Sequence, residues 1–513
     1  MSIVQFLERG RRLSKDGLLA TDDHRSMGYG EFIDLVAQVA SRLRSAGIGR
    51  GARVGVAAPN LIDALAVPYG ALTAGATYLP VAATGTHFET EKTLRKFECT
   101  ALIYHPKFEP VVEALRQQLP AMRFIPLAEL VEPRPDDARQ EVALPGSAPL
   151  DEIAWLIATG GTTGEPKGVE LSWRAIIAYV QKFLAEVPLA DETMLLATPL
   201  THAAGMLALP VIASGGRLVI ANGVEPARFI SAIEQHRVTA TFLPPTAIYK
   251  LLDHPGVETR DFSSLRHFIY GAAPVALPRL REALRVFGPV MTQCYGQSEC
   301  HTFIAMMRPC DHFVDGRLGG EIADDGRLSA CGRPNLGNIV EIRKEDGGPA
   351  AAGEPGEICV ASDLNMSGYF RDEEQTRATL VEGFILTGDV GFLDDDGFLH
   401  IADRKKDMII TGGFNVYPTE VENVMHDHPA VAECAVVGVP DPYWGEAVVA
   451  VIRAHDGRNI DVEALRGQVQ AQLGAVKTPK AIHIWDELPK SAVGKILKRD
   501  IRDRLVRESE SFP

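Results

Sequence analysis

Thr159-Gly160-Gly161-Thr162-Thr163-Gly164-Glu165-Pro166-Lys167-Gly168 is the stretch on which the reading of this chain turns. These ten residues hold four glycines, three threonines and one lysine. Upstream, the apolar run 153–158 predicts a buried strand, and downstream 173–183 predicts a helix. Glycines let a backbone approach an anion. Threonine hydroxyls donate to phosphate oxygens or reach a magnesium ion, and a lysine neutralises charge. The common P-loop needs Gly-Lys-Ser/Thr. Here Pro166 precedes Lys167 and Gly168 follows it, so the expectation is a phosphate-binding loop of another type between strand and helix. The plainer alternative is a glycine-rich surface turn.

Outward from this loop the chain alternates between short apolar runs and amphipathic segments. On the N-terminal side, helices are expected at 29–46, 61–74 and 107–119, with strands at 52–58, 77–81 and 100–104. Residues 131–150 carry prolines and charges with little periodicity and read as a surface connection. On the C-terminal side, strands are expected at 194–198, 217–221, 239–243, 266–270 and 290–294. Helices are expected at 206–213, 226–235, 246–252 and 278–287. Such alternation implies parallel strands with helices on both faces. Ligands of open α/β sheets sit beyond the carboxyl ends of the strands. The segments to read are therefore 159–168, 199–205, 244–245, 271–274 and 295–299, each rich in Gly, Pro, aromatic or hydroxyl residues.

From 311 to 400 short alternating segments are punctuated by Asp324-Asp325-Gly326 and Asp394-Asp395-Asp396-Gly397, expected as hairpin turns of a small β-rich subdomain. The triple aspartate lacks the later glutamate of a calcium loop. The charged run Asp403-Arg404-Lys405-Lys406-Asp407 precedes about 110 residues with their own apolar pattern. These are helices at 420–428, 462–473 and 496–504 and strands at 432–439, 447–453 and 481–485. The expected fold is α/β. A large N-terminal domain (1–402) of layered α/β sheets with a small β-rich subdomain is followed by a small mobile α+β C-terminal domain (403–513).

A length of 513 residues implies more than one domain. A net charge of −15 argues against nucleic acid or an anionic membrane surface as partner, while leaving room for a small anion held by a few local cations. The seven cysteines are scattered and form no CxxC pair, which fits a reducing compartment without a zinc framework. No apolar run reaches about 18 residues, and the first residues lack a signal-peptide core. A cytoplasmic protein without a membrane span is the expectation, and a homodimer is left open.

Six separated pieces carry a resemblance. The opening loop, Pro199-Leu200-Thr201-His202-Ala203-Ala204-Gly205, Tyr295-Gly296-Gln297-Ser298-Glu299, Thr387-Gly388-Asp389, Asp403-Arg404-Lys405-Lys406-Asp407 and Pro489-Lys490-Ser491-Ala492-Val493-Gly494-Lys495 occur in this order. The chain thereby resembles the acyl-adenylate-forming enzymes, which include acyl- and aryl-CoA ligases, peptide-synthetase adenylation domains and beetle luciferases.

The resemblance implies ATP, Mg2+ and coenzyme A as reactants or cofactors. Thr159, Gly160, Gly161, Thr162, Thr163, Gly164 and Lys167 would hold phosphate. Gly271, Ala272, Ala273 and Pro274 would line an adenine pocket with Tyr295 stacking, and Gly296, Gln297 and Ser298 would complete it. Asp389 would accept both ribose hydroxyls, assisted by Arg404. Thr163 and Glu299 would hold the metal. His202 would sit near the acyl carboxyl and gate the pocket. Lys495 would serve the catalytic step and Lys406 the domain hinge, while Gly412, Gly413 and Phe414 would line a pantetheine passage. Departures from the family pattern are Gly160 in place of a frequent serine, Ser298 in place of threonine, and Thr201 where many fatty-acid ligases carry an aromatic residue.

The segment 200–205 contains no aspartate to hold an amino acid's ammonium, and the expected pocket segments 206–209, 241–245 and 271–273 are apolar and small. The substrate expected is an uncharged aliphatic (fatty) or aromatic carboxylate. The acceptor is free coenzyme A or, alternatively, the pantetheine arm of a carrier protein.

Overall fold

Val169 and Leu171 are fully buried, while Lys167 and Glu170 are partly exposed. That alternation makes Lys167–Ser172 a strand, antiparallel to Ile153–Thr159 with Thr159 opposite Lys167. The opening loop therefore belongs to a β-hairpin, correcting the expected strand–loop–helix unit, and the helix Trp173–Glu186 begins only after the second strand. In this computed structural model the described residues are 3–82, 86–133, 149–159, 166–189, 191–404, 407–490 and 496–510. The tip of the hairpin, 160–165, lies outside them.

The expected alternation is divided between two sheets. One runs Gly368–Tyr369, Lys167–Ser172, Ile153–Thr159, Thr77–Pro80, Arg53–Ala57, Ala101–Tyr104, Arg123–Pro126. The other has Met291–Tyr295, His267–Gly271, Ala240–Leu243, Thr193–Leu196 and Arg217–Ile220 as a parallel centre, closed at its far edge by Leu18–Thr21 and Ser26–Gly28. Four of the five loops singled out from the sequence follow strands of this second sheet. The Thr159 loop belongs to the first.

Helices Ile62–Ala74 and Ala203–Ala213 are apolar nearly all round, and almost every residue in them is buried. They lie within one core cluster that contains Val54, Tyr78 and Trp155 of the first sheet and Met194, Leu196 and Ile220 of the second. A helix without a polar face is stable only when covered on all sides. The helix Ala203–Ala213 begins three residues earlier than the periodicity indicates, directly after His202.

The region after 311 forms the expected antiparallel sheet of Ile339–Arg343, Gly356–Ala361, Phe384–Leu393, Leu380–Val381 and Leu399–Arg404. Asp394-Asp395-Asp396-Gly397 is its hairpin turn, with Asp394 accepting from the amides of Asp396 and Phe398. Asp324, expected in a hairpin turn, instead caps a short helix, Asp325–Leu328; its carboxylate accepts from Arg327 N–H, and this capping bond competes successfully with a turn.

Beyond the described end at Arg404, residues 407–510 pack around cores of their own, centred on Val436, Val448 and Ile452 and on Ala435, Val449 and Ile501. Asp403 sits at the junction. Its carboxylate accepts from Thr419 N–H at 2.9 Å and Thr419 Oγ1 at 3.1 Å. Among the described residues no helix is long and apolar enough to cross a membrane.

Candidate active site

Register fixes where the loops meet. Leu243 pairs with Tyr270 and Gly271 with Cys294, all in parallel, so the strand ends open on one edge. There the backbones approach too closely for side chains. A Cβ on Gly271 would fall 2.3 Å from the Cys294 carbonyl oxygen, and one on Gly296 2.2 Å from the Thr302 carbonyl carbon. Ala272, next in line, holds a left-handed φ of 68°. A non-glycine residue in that region stores strain, and such positions cluster at functional sites.

Asp389 reaches this edge through a β-bulge. Across from it, Glu357 pairs with Val390 and Cys359 with Leu386, so Thr387, Gly388 and Asp389 share a single opposing residue. Gly388 takes a φ of 68°. Thr387 Oγ1 donates to the Ile358 carbonyl at 2.7 Å and accepts from Asp389 N–H at 3.1 Å, fixing the bulge. The Asp389 side chain, 5% exposed, accepts from Tyr295 Oη at 2.6 Å and pairs with Arg404 Nε at 2.8 Å. Burial, reinforced by the Asp389 charge, pushes the Tyr295 hydroxyl well above its ordinary pKa, so it remains a donor. Gln297 Nε2 donates to the Thr387 carbonyl at 3.2 Å and ties the second loop to the same turn.

Glu299 lies on the short helical turn Ser298–Cys300 that follows. Its Oε1 accepts from Tyr369 Oη at 2.8 Å, and its carbonyl accepts from Met366 N–H. Tyr369 is placed by a single strand pairing, opposite Val169. Lys167 Nζ stands 5.1 Å from the centre of the Tyr369 ring, within cation–π range. A chain Lys167–Tyr369–Glu299 thus joins the hairpin of the first sheet to the strand ends of the second. Burial first, then the Glu299 charge, raise the Tyr369 hydroxyl's pKa. Among the described residues Glu299 has no ion-pair partner. Its carboxylate, linked through Tyr369 to the Lys167 hairpin, is a hard oxygen ligand suited to a divalent cation.

His202 and Thr201 occupy the loop before helix Ala203–Ala213. Asn60 pins that loop from the first sheet: Leu200 N–H donates to Asn60 Oδ1 at 3.0 Å, and Asn60 Nδ2 donates to the Thr198 carbonyl at 2.8 Å. His202 Nδ1 is 3.0 Å from Thr201 Oγ1, and burial lowers its pKa, which favours the neutral ring. The two residues line a cavity with Gly205 and Met206 on one side and Ala64, Tyr69, Tyr78 and Trp155 on the other. Thr241, in one of the expected pocket segments, is fully buried and donates its hydroxyl to the Leu195 carbonyl at 3.0 Å.

Thr159 closes the base of the hairpin, its Oγ1 donating to the Lys167 carbonyl at 3.4 Å. Gly160, Gly161, Thr162, Thr163, Gly164, Lys406 and Lys495 lie outside the described residues. Gly412 and Gly413 form a tight turn in the small C-terminal unit at φ 57° and 82°. There Gly412 N–H donates to the Trp444 carbonyl and Phe414 is 61% exposed. Sequence reasoning missed Tyr369 and Asn60. Neither stands in a recognisable motif, and each acts through a partner more than 60 residues away.

Residues 8–370 match the AMP-binding enzyme family and residues 420–495 the AMP-binding enzyme C-terminal domain. The chain belongs to this family, the acyl-adenylate-forming superfamily, and is an ATP-dependent, AMP-forming ligase. It is 36% identical to a medium/long-chain-fatty-acid–CoA ligase, FadD8, of Mycobacterium tuberculosis, over 96% of this chain and 88% of that one. It is 34% identical to a feruloyl-CoA synthase of an Amycolatopsis species, over 97% of each. The structure of the amide bond synthetase McbA from Marinactinospora thermotolerans superposes with a TM-score of 0.88 at 32% identity, covering 98% of this chain and 99% of that one.

Proposed function

We propose that the protein is an acid–CoA ligase. It converts a carboxylate, ATP and coenzyme A into acyl-CoA, AMP and pyrophosphate through a bound acyl-adenylate. The observation that carries this reading is the Tyr295–Asp389–Arg404 cluster at the strand ends, beside an apolar cavity headed by His202. In this reading Asp389 accepts the ribose hydroxyls with Arg404 assisting, and Tyr295 presents its ring to adenine between Gly271–Pro274 and Gly296–Ser298. The Thr159–Lys167 hairpin grips the leaving pyrophosphate. Glu299, with Thr163, would hold Mg2+, which offsets phosphate charge when bound. Lys495 stabilises charge as the carboxylate oxygen attacks the α-phosphorus, and a neutral His202 orients the acid.

Residues 1–402 then form the adenylating domain and 403–513 a mobile domain turning at Lys406. That turn brings Gly412, Gly413 and Phe414 to the incoming thiol. The acid is an uncharged aliphatic or aromatic one, as relatives acting on medium- and long-chain fatty acids and on ferulate suggest. Loading of a carrier-protein pantetheine arm is the alternative.

Incubation with ATP, an acid panel and either free coenzyme A or a holo carrier protein decides between them. Thioester with coenzyme A, read by mass, is the expected product. Product on the carrier alone, or an amide formed with an added amine and no thioester, overturns this reading. Lys495→Ala is expected to lower adenylation by roughly two to three powers of ten while supplied acyl-AMP still reacts with coenzyme A. Equal loss in both half-reactions would contradict the assigned role.

A further inference from the structure

The loop that carries Tyr295 and Glu299 ends in a strained turn. His301 and Thr302 both hold left-handed φ values, 47° and 60°. Two such residues in succession are uncommon, and for a β-branched threonine the conformation is a true outlier. Strain of this kind persists only where the surroundings over-determine it, and it gathers at functional sites. Here the turn closes the loop on itself. Thr302 N–H donates to the Gln297 carbonyl at 2.8 Å, and Ile304 N–H donates to the Tyr295 carbonyl at 2.8 Å. Gly296 packs so closely on Thr302 that a Cβ there would collide with its backbone. Where residues 302–304 lie therefore fixes where Tyr295, Gly296 and Gln297 lie.

A side chain from outside the loop holds these residues. Asn338, just ahead of the strand Ile339–Arg343, uses both ends of its amide. Its Nδ2 donates to the Phe303 carbonyl at 2.8 Å and the Ile304 carbonyl at 3.0 Å. Its Oδ1 accepts from Ser362 Oγ at 2.6 Å and from Lys182 Nζ at 3.0 Å. With donors on one side and acceptors on the other, the amide has a single satisfied orientation. Lys182 belongs to the helix Trp173–Glu186, and its ammonium also donates to the Gly337 carbonyl at 2.9 Å and to Ser362 Oγ at 3.0 Å. Ser362 directly follows the strand Gly356–Ala361. One amide thus joins the helix after the Lys167 hairpin, the antiparallel sheet and the loop at the strand ends of the second sheet.

We propose that Asn338, locked by Lys182 and Ser362, is the positioning residue of the nucleotide loop: it holds the His301–Thr302 turn in its strained form and so sets Tyr295 and Gly296 for adenine. It acts through the backbone of 302–304 and not on a reactant. The inference rests on the nucleotide reading of Tyr295–Ser298 above.

Asn338→Ala in the full-length protein tests it. The Ile304 carbonyl keeps the Asn335 N–H as a donor, and Lys182 keeps Gly337 and Ser362, so the surrounding bonds survive. Gln38→Ala is the control, because Gln38 Nε2 likewise donates to two successive carbonyls, of Leu130 and Val131, each at 3.1 Å, beyond the far edge of the first sheet. The readouts are hydrogen exchange of peptides spanning 295–304 and calorimetric affinity for ATP with Mg2+. Asn338→Ala is expected to speed exchange across 295–304 and to weaken ATP binding about three- to tenfold. In acid-dependent pyrophosphate release the loss should fall on the ATP KM with kcat unchanged. Lys182→Met leaves Ser362 on Oδ1 and is expected to act in the same direction by less; it decides by the same readouts should Asn338→Ala not fold. Gln38→Ala is expected to change neither readout. Unchanged exchange across 295–304, unchanged ATP affinity, or equal weakening in the control overturns the proposal. Wild type that binds no ATP counts against the nucleotide reading instead, and the exchange data still decide whether Asn338 holds the turn.

Discussion

The two carboxylates of the cleft are built alike at one atom and differently at the other. Asp389 and Glu299 each accept from a tyrosine hydroxyl, at 2.6 and 2.8 Å. Asp389 also has the Arg404 guanidinium at 2.8 Å, whereas Glu299 has no cation among the described residues. The Asp389 end is thus electrostatically balanced before any ligand arrives, which suits the proposed recognition of a fixed hydroxyl pair. The Glu299 end keeps uncompensated charge among the described residues, where a divalent cation would balance it. Position in the fold follows the same division. Asp389 is held by a bulge inside the antiparallel sheet, while among the described residues Glu299 is joined to Lys167 through Tyr369, a residue of the first sheet.

Removing the balanced charge is expected to have the larger effect. Asp389→Asn leaves the Arg404 guanidinium without its carboxylate and weakens two contacts to ribose. With charged hydrogen bonds at about 1.5–3 kcal/mol each, acid-dependent ATP–pyrophosphate exchange should fall by roughly two to four powers of ten, chiefly through the ATP KM. An unchanged ATP KM would detach Asp389 from nucleotide recognition. Glu299→Gln still accepts from Tyr369, so the local structure is retained and only charge is lost. A loss of about a hundredfold, with a higher Mg2+ concentration at half-maximal rate, is expected. An identical Mg2+ titration would show that the two ends do not differ as argued.

Tyr369→Phe keeps the ring under Lys167 and removes the hydrogen bond that orients Glu299. An effect of about three- to tenfold is expected, again with a rightward Mg2+ titration and an unaltered Tm. If the rate falls and the Mg2+ titration stays put, Tyr369 is a packing residue and does not position Glu299.

How much of this was legible in the sequence follows from how local each feature is. The strands of the parallel centre hold continuous apolar runs such as 194–196 and 218–220, and they stand out because burial on both faces removes polar residues. Glu299, Asp389 and Arg404 lie in short ordered motifs. The strand Lys167–Ser172 does not stand out beside the loop 159–168 because its alternation covers only a few residues. Its outer partner, Gly368–Tyr369, lies about two hundred residues later. The division into two sheets was hidden for the same reason. Leu18–Thr21 and Arg217–Ile220 pair across the chain, and nothing in either run names the other. The second cavity wall, at Tyr69 and Trp155, is invisible to motif reading because its residues look like ordinary core.

A buried base behind that wall extends the comparison to a group that ought not to be charged at all. His301 is fully buried between Trp155 and Tyr179, neither ring nitrogen has a partner among the described residues, and burial pulls its pKa down to about 3. Unfolded, the same ring titrates near 6.5. Between these values the unfolded chain binds a proton that the fold refuses, so the contribution is fully present above pH 6.5 and is lost as pH falls through the window. By pH 5.5 the loss is on the order of 1 kcal/mol. His267 and His312, each lowered to about 4 by burial, act in the same direction. Asp63 and Glu192, raised by burial, act in the opposite one. The measurement must therefore be differential. Asn accepts the left-handed backbone found at His301, φ 47°, and does not titrate. The stability gap between wild type and His301→Asn in urea unfolding is expected to shift by on the order of 1 kcal/mol in the variant's favour from pH 8 to 5.5. Parallel curves would mean that His301 accepts its proton without unfolding, and that the wall it supports is wetter than its burial implies.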